Sequence, residues 1–546
     1  MAYTEVVLNG ENERYKTSGW GIVLAITGFY CLFSTLLTVG NYHLSGDSFD
    51  YLTLARNIFR GEGFSRVGQV EVYRQPGYPY LIAGFLFLFR DLELTGHVVS
   101  LFCGALSIPA VFWAAKQFLP ARYALYSTVL LAVNPFFAHA GSEALSETSN
   151  ALFSIIALGF LFAAYRQTTF KSVVSSVFFG LFCAVAYFCR SESLLLLPAG
   201  IIFLIVFKWK ERLKCSLCVI AAVIALTVAC FPYWNMLKTA TGRFNLGGNS
   251  VNLIWYQSTL DKRPPKSFDP DWAPRPFDPL WPSVTHPADF NPGRYVRLNA
   301  PELIKRYVCN TITYLTPLAE ILFFGFGFVL LFSGIRRGPG ITKQNVFHGI
   351  WAGLFPLLTL SFRAGTDRLL IPYLPVFSIL MAIGLLGISE WIQERIPFFR
   401  FKSPTLKIII IIFILLLPMI KMTRHIGRGE NWRHFRYRDV GDYIKKDLKG
   451  GQSIKIVADD SAPAFFAGGD AIAIPDTTKY KKLIEQMDAY GAQYLIVTRE
   501  KSPIGGIKIP ELKNPAHHDE LRLLKTFPGE IDLYRRTEYH TPLSEK

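Results

Sequence analysis

Gly19–Asn57 reads GWGIVLAITGFYCLFSTLLTVGNYHLSGDSFDYLTLARN, and its two halves decide the fold. From Gly19 to Val39 the chain is apolar over about 20 residues, the length that spans a bilayer core as a helix. The run is too long for a signal-peptide core and lacks a small-x-small cleavage site, so it reads as a retained anchor. The second half carries Tyr51, Leu54, Ala55 and Ile58 at helical spacing, and Gly61-Glu62-Gly63 ends the run. This predicts an amphipathic helix near the membrane surface. Asp47 stands at its N-terminal edge, either as the helix N-cap or as a carboxylate kept for chemistry.

Outward from this stretch the same apolar length recurs. Spans are expected near Thr95–Gln117, Ala121–Ala140, Ala144–Tyr165, Ser172–Cys189, Ser193–Phe207 and Cys215–Trp234. After a long break come Tyr307–Ile335, Val346–Phe362, Leu369–Trp391 and Leu406–Ile420, for a total of about eleven. Tyr78–Phe89 is apolar but short, and Pro76 and Pro79 interrupt its start, which suits a helix lying at the interface. Composition agrees. Of 546 residues, 51% are hydrophobic and only 18% charged, against about 25% in soluble domains, and mean hydropathy is +0.27. A disordered chain is excluded, and an ordinary soluble enzyme is disfavoured.

The net charge of +16 belongs to the loops. With the N-terminus cytoplasmic, inside loops hold Arg14 and Lys16, Lys116 and Arg122, Arg166 and Lys171, Lys208 to Lys214, Arg336 to Lys343, and Arg395 to Lys407. The outer turn Gly141–Glu147 has no Lys or Arg. That asymmetry is what the positive-inside rule requires, and an odd span count puts the C-terminus outside. No nucleic-acid motif is present, so the basic residues are expected to meet membrane lipids. The 8 cysteines all lie in or beside apolar segments. Cys215-x-x-Cys218 has no second pair and reads as helix packing.

Residues 1–420 are therefore expected to form the membrane domain, with long outer loops at 40–94 and 238–306. Residues 421–546 are polar and predict an extracytoplasmic α/β domain. Its expected strands are Ile454–Ala458, Ala471–Ile474, Gln493–Val497 and Ile531–Tyr534, with a helix over Lys479–Tyr490. The connection into it is basic (Lys421, Arg424, Arg428, Arg433, Arg436, Arg438), either to attract anionic lipids or as part of a binding site.

The candidate chemistry gathers at outer span ends. Arg74-Gln75-Pro76-Gly77-Tyr78-Pro79 places a cation on a rigid turn. Glu143 and Glu147 are spaced i, i+4 at the Ser142–Thr148 junction, costly at a membrane unless paired or facing a polar cavity. Arg190 opens one span, and Arg363 and Arg368 another. Arg74 also suits a lipid headgroup contact, and the glutamates also suit a solvated helix N-terminus. Taken together, the acids and arginines suit transfer of a group from a lipid phosphate: an acid takes a proton or holds a metal, and the arginines hold the phosphate.

These residues resemble the GT-C fold membrane glycosyltransferases, specifically the dolichyl-phosphate-mannose–protein mannosyltransferase-like and aminoarabinose-transferase-like group. The resemblance is carried by Asp47…Tyr51…Ala55-Arg56-Asn57, by Arg74 to Pro79, and by Asn134-Pro135…Leu145-Ser146-Glu147. Pro232-Tyr233-Trp234-Asn235…Gly247-Gly248-Asn249 and Arg368…Pro372…Pro375 complete it. It spans about residues 20–390 of the sequence.

The resemblance implies a polytopic enzyme that moves a hexosyl or pentosyl unit, with inversion, from a polyprenyl-phosphate donor. The acceptor, a glycan, lipid or protein, lies outside the cytoplasm, and the enzyme sits in the inner (plasma) membrane. It implies Asp47 and Glu147 as catalytic, and Arg74, Arg190, Arg368, Arg363, Tyr51, Asp50 and Glu143 as substrate-binding, with Glu147 favoured over Glu143. No cofactor is assigned. A divalent metal ion stays open, because Ser48 stands where the group often has an acid after the catalytic Asp. A transporter or lipid flippase is the rival class. It would place its charges at mid-span and show repeat symmetry, whereas these charges sit at span ends.

Overall fold

The computed structural model describes residues 19–37, 44–242, 244, 246–247, 292–322, 367–395, 431–447, 454–458, 460–473, 480–498, 520–528 and 531–537. Among these, seven helices are long and apolar enough to cross a membrane: Gly19–Leu37, Leu92–Lys116, Glu147–Arg166, Thr169–Cys189, Ser191–Lys208, Arg212–Ala240 and Arg368–Ile388. The chain is a multi-pass helical membrane protein. The expected spans Val346–Phe362 and Leu406–Ile420 lie outside the described residues.

The first helix, α1, is Gly19–Leu37. The connection that follows carries α2 (Gly46–Phe59), a hairpin of β1 (Ser65–Arg66) and β2 (Gln69–Val70), and α3 (Gly77–Phe89). Then come α4 (Leu92–Lys116), α5 (Ala121–Ala132), α6 (Pro135–Ser142), α7 (Glu147–Arg166), α8 (Thr169–Cys189), α9 (Leu196–Lys208) and α10 (Arg212–Thr241). Helices α7 and α8 pack together, α10 covers α8, and α4 covers α7. The cysteines are unpaired, and Cys218 sits in this packing with its Sγ 3.2 Å from Ser172 Oγ.

Two expectations are corrected here. Ala121–Ala140 is not one straight span but α5 and α6, broken at Asn134-Pro135. Pro135 has no N–H to continue the helix, and Asn134 caps the new one, its Oδ1 accepting from Phe137 N at 3.1 Å. The helix expected from Tyr307 begins earlier, as α11 (Pro292–Thr313), and gives way to α12 (Leu315–Ile321). Pro292 sits at its first turn, where a missing N–H costs nothing.

Helix α3 has 13 residues, too few to span a bilayer, and its N-terminus crosses the C-terminal end of α8. A Cβ on Gly77 would lie 2.7 Å from both the carbonyl carbon and oxygen of Phe188. Only glycine permits this approach, which brings the Arg74 turn beside Arg190. Gly77→Ala should therefore cost about 1–3 kcal/mol of stability, read as a lower melting temperature in detergent. An unchanged melting temperature would show that the crossing opens freely.

A 3₁₀ turn, Asp367–Tyr373, leads into α13 (Leu374–Arg395), which is buried among α5, α4 and α7. The C-terminal unit comprises α14 (Asn431–Asp447), β3 (Lys455–Ala458), α15 (Ala462–Ala467), β4 (Asp470–Ala473), α16 (Tyr480–Tyr490), β5 (Tyr494–Thr498), β6 (Leu521–Phe527) and β7 (Ile531–Arg536). Its sheet has order β4-β3-β5-β7-β6, with β3 parallel to β4 and β5 and with β7 antiparallel to β5 and β6. The four expected strands are present, and β6 is added. Its pairing shifts register between Leu523 and Lys525, which breaks the alternation that marks a strand. Arg438 of α14 grips Glu93 of α4 through both carboxylate oxygens, at 2.6 and 2.7 Å, so this part of the basic connection holds the unit to the membrane helices.

Candidate functional site

Helix α2 is capped by Ser45, whose backbone N–H donates to Ser48 Oγ at 3.2 Å while the two hydroxyls lie 3.0 Å apart. Capping is thus done without Asp47. Its carboxylate turns to two arginines instead: Arg74 Nη2 lies 2.5 Å from Oδ1, and Arg368 Nη1 lies 2.7 Å from Oδ2.

From this pair an alternating chain of acids and arginines extends in both directions. On one side Arg74 also reaches Asp50 Oδ2 at 2.6 Å, and Asp50 Oδ1 accepts from Arg66 at 3.0 Å. Arg66 lies 3.5 Å from Glu71. Glu71 in turn accepts from the backbone N–H groups of Tyr73 and Arg74 at 2.7 and 3.1 Å, which fixes the turn carrying Arg74. On the other side Arg368 Nε donates to Glu147 Oε1, which also accepts from Arg190 at 3.1 Å. Arg190 Nε pairs with Glu192 at 2.5 Å. Five separate segments meet in this chain: α2, the stretch from Arg66 to Arg74, the start of α7, Arg190 to Glu192, and Arg368.

Burial is uneven along it. Glu147 and Asp50 are 1% and 4% exposed, whereas Asp47 and Arg368 keep 33% and 28%. The middle of the chain is its open point. Glu147 Oε2 is buried and has no hydrogen bond among the described residues. Burial alone would raise the Asp47 pKa, but the charges and hydrogen bonds of Arg74 and Arg368 outweigh it and hold the carboxyl well below the usual carboxylate range. Burial likewise opposes the charge on Arg74, and Asp47 and Asp50 overcome it, so its pKa is raised further.

Of the sequence-named residues, Asp47, Asp50, Arg74, Glu147, Arg190 and Arg368 converge. Tyr51 stands beside them, its ring 5.4 Å from the Arg74 guanidinium and its hydroxyl 3.3 Å from Ser146 Oγ. Glu143 does not join. It closes α6 and faces His139 at 3.8 Å. Arg363 lies outside the described residues. Arg66 and Glu71 were missed. The signal for them is faint: Ser65-Arg66-Val67-Gly68-Gln69-Val70 has a glycine at the second turn position of a two-residue hairpin.

A narrow, mostly apolar cleft lies between α7 and the junction of the 3₁₀ turn with α13, lined by Ile155, Leu158, Pro372, Tyr373 and Val376 together with Ser154 and Ser193. A second cleft shares Ile155, Leu158 and Val376 and extends to Phe118 and Phe162. For a metal the fit is poor. Among the described residues no group of three or more His, Cys, Asp or Glu could hold one, and both Asp47 oxygens already face guanidinium groups.

Residues 74–234 match the family model described as dolichyl-phosphate-mannose-protein mannosyltransferase. A search of curated proteins gives no match. Among solved structures, ArnT from Cupriavidus metallidurans bound to undecaprenyl phosphate superposes with a TM-score of 0.62 at 11% identity, over 95% of this chain and 98% of that one. The oligosaccharyltransferase AglB from Archaeoglobus fulgidus, in complex with an inhibitory peptide and a dolichol-phosphate, gives 0.53 at 12% identity, over 87% of this chain and 69% of that one. The likeness gives the fold: the polytopic GT-C architecture, here with a small C-terminal sheet.

Proposed function

We propose that this chain is an integral-membrane glycosyltransferase that moves one hexosyl or pentosyl unit from a polyprenyl-phosphate donor to an extracytoplasmic acceptor, with inversion. The observation that carries the reading is Asp47, freed from capping by Ser45 and clasped by Arg74 and Arg368 at the open point of a buried charged chain. ArnT and AglB, whose fold the chain shares, were solved with polyprenyl phosphates.

In the free protein Asp47 is a weak base, because two guanidinium groups stabilise its charge. A donor phosphate competes for the same groups. As Arg74 and Arg368 turn their forks to the phosphate oxygens, Asp47 loses its stabilising partners and becomes more basic. The acceptor then attacks the anomeric carbon from the face opposite the phosphate. A bond forms between acceptor and anomeric carbon, the bond from that carbon to the phosphate oxygen breaks, and Asp47 takes the acceptor's proton. Arg74, Arg190 and Arg368 hold the departing polyprenyl phosphate. Glu147 keeps Arg190 and Arg368 in place, and its Oε2, buried without a hydrogen bond among the described residues, is a further acceptor for a substrate hydroxyl.

A pH consequence follows. A carboxylate with a depressed pKa is ionised above that value, so kcat/KM, which reports the free enzyme, should show no acid limb from Asp47 down to about pH 4. The stabilisation from its ion pairs is likewise present above the unfolded carboxylate pKa of about 3.9 and lost as pH falls through the lower folded value. An acid limb of kcat/KM with its midpoint near neutral pH would contradict this.

Comparing glycolipids and glycoproteins of strains with and without the protein tests the reading as a whole. One sugar should vanish from one acceptor class, and unchanged profiles would refute it. The orientation belongs to the same proposal: N-terminus cytoplasmic, C-terminal unit outside, in the inner membrane. A reporter active only in the cytoplasm and fused at Lys546 should be silent, and an active one would shift the span count by an odd number.

A further inference from the structure

Val67 and Gly68 make the two-residue turn between β1 and β2, and both have left-handed backbone, with φ of 53° and 78°. Glycine accepts this freely. A β-branched residue does not, and it persists only where its surroundings hold it. The C-terminal unit does the holding. The Val67 side chain is buried in the same apolar cluster as Val457, Ile472, Met487 and Leu495 of that unit, and its N–H donates to Asp470 Oδ2 at 2.9 Å.

Asp470 has a second task. Its Oδ1 accepts from Arg56 of α2 at 2.7 Å, and the Arg56 fork also reaches the Gly469 carbonyl at 3.2 Å. Near the other end of α2, Phe49 packs on Phe465 and Phe466 of α15 with ring centroids 5.4 and 5.5 Å away. The unit thus grips α2 near both ends and the hairpin tip beside it. Arg66, the last residue of β1 and the neighbour of the seated Val67, is ion-paired with Asp50 and Glu71.

We infer that Asp470 is a positioning residue for the transfer site: by pinning Val67 and Arg56 to the C-terminal sheet, it sets Arg66 against Asp50 and so orients Arg74 and Asp47 toward the donor phosphate. The inference rests on the reading of Arg74 as a phosphate ligand. Each Asp470 oxygen serves a different segment, so asparagine cannot replace it. With one acceptor oxygen, an Asn side chain must turn an NH₂ donor on either the Val67 N–H or the Arg56 guanidinium.

The test uses full-length wild type, Asp470→Asn, Arg66→Ala and the double variant in detergent, each titrated with a polyprenyl phosphate. Hydrogen exchange is followed over residues 46–57 and 65–70 without ligand. Asp470→Asn should weaken binding about tenfold and speed exchange in both stretches. The double variant should bind no worse than Arg66→Ala alone, because one residue acts through the other. Wild-type affinity in Asp470→Asn, or two losses that multiply, overturns the inference.

If Asp470→Asn does not fold, Arg56→Ala replaces it. That change removes one of the two partners of the Asp470 carboxylate and leaves the C-terminal core untouched. It should weaken binding in the same direction and speed exchange over residues 46–57, and wild-type affinity there overturns the inference too. If wild type binds no polyprenyl phosphate, the functional reading fails by itself. Exchange then decides the present point, and unchanged rates over 65–70 refute it.

Discussion

Asp47→Asn should abolish turnover and leave the protein folded. The substitution keeps shape and removes the proton acceptor, and loss of a general base costs about 100- to 10,000-fold in kcat. Stability is expected to survive because neither arginine is orphaned: Arg74 keeps Asp50, and Arg368 keeps Glu147. The cap of α2 is untouched, since Ser45 and Ser48 supply it. Turnover by the purified variant, beside its melting temperature, decides the matter. An active variant would move the proton to another group. Asp50 would be the first to examine, although it is already held by both Arg66 and Arg74.

Arg368→Lys should raise the donor KM by about 10- to 100-fold and leave the acceptor KM nearly unchanged. Arg368 spans two acids with different nitrogens, Nε to Glu147 and Nη1 to Asp47. A lysine ammonium is a single point and cannot span both or offer a planar fork to phosphate. Charge-assisted hydrogen bonds of this kind are each worth about 1.5–3 kcal/mol, which sets the expected factor. As a contrast, Arg433→Ala with Arg436→Ala should weaken binding only in a salt-dependent way. If that pair abolishes activity and Arg368→Lys is neutral, the phosphate lies against the C-terminal connection instead.

What the sequence discloses about this site follows from how each residue is carried. Asp47, Arg74, Arg190 and Arg368 stand beside helix ends or proline turns at the ends of apolar runs, and charge in such places is visible in one dimension. Glu143 looked equivalent to Glu147, four residues away, because an unbroken helix would share one face between them. In the structure Glu143 closes α6 and α7 begins only at Glu147, so the shared face does not exist. Arg66 and Glu71 were hidden by the shortness of the hairpin that carries Arg66 and precedes Glu71, two residues to a strand, which leaves no period to read. Asp470 opens β4 and offers nothing local at all. Its partners are Arg56 and Val67, and no spacing rule links residues so far apart.

That distance has a temporal meaning. Val67 and Asp470 are 403 residues apart. At about 5–20 residues per second of synthesis, the hairpin waits roughly 20–80 s for the carboxylate that seats it. During that interval the membrane helices are inserted in order while Val67 lacks its C-terminal hold. A chain interrupted before β4 would have every arginine of the site and nothing to seat the hairpin beside them. If Asp470 positions the site as inferred, full affinity comes only after β4 has emerged, so a ribosome that stops earlier leaves an anchored fragment that holds the lipid phosphate more weakly than the longer chain.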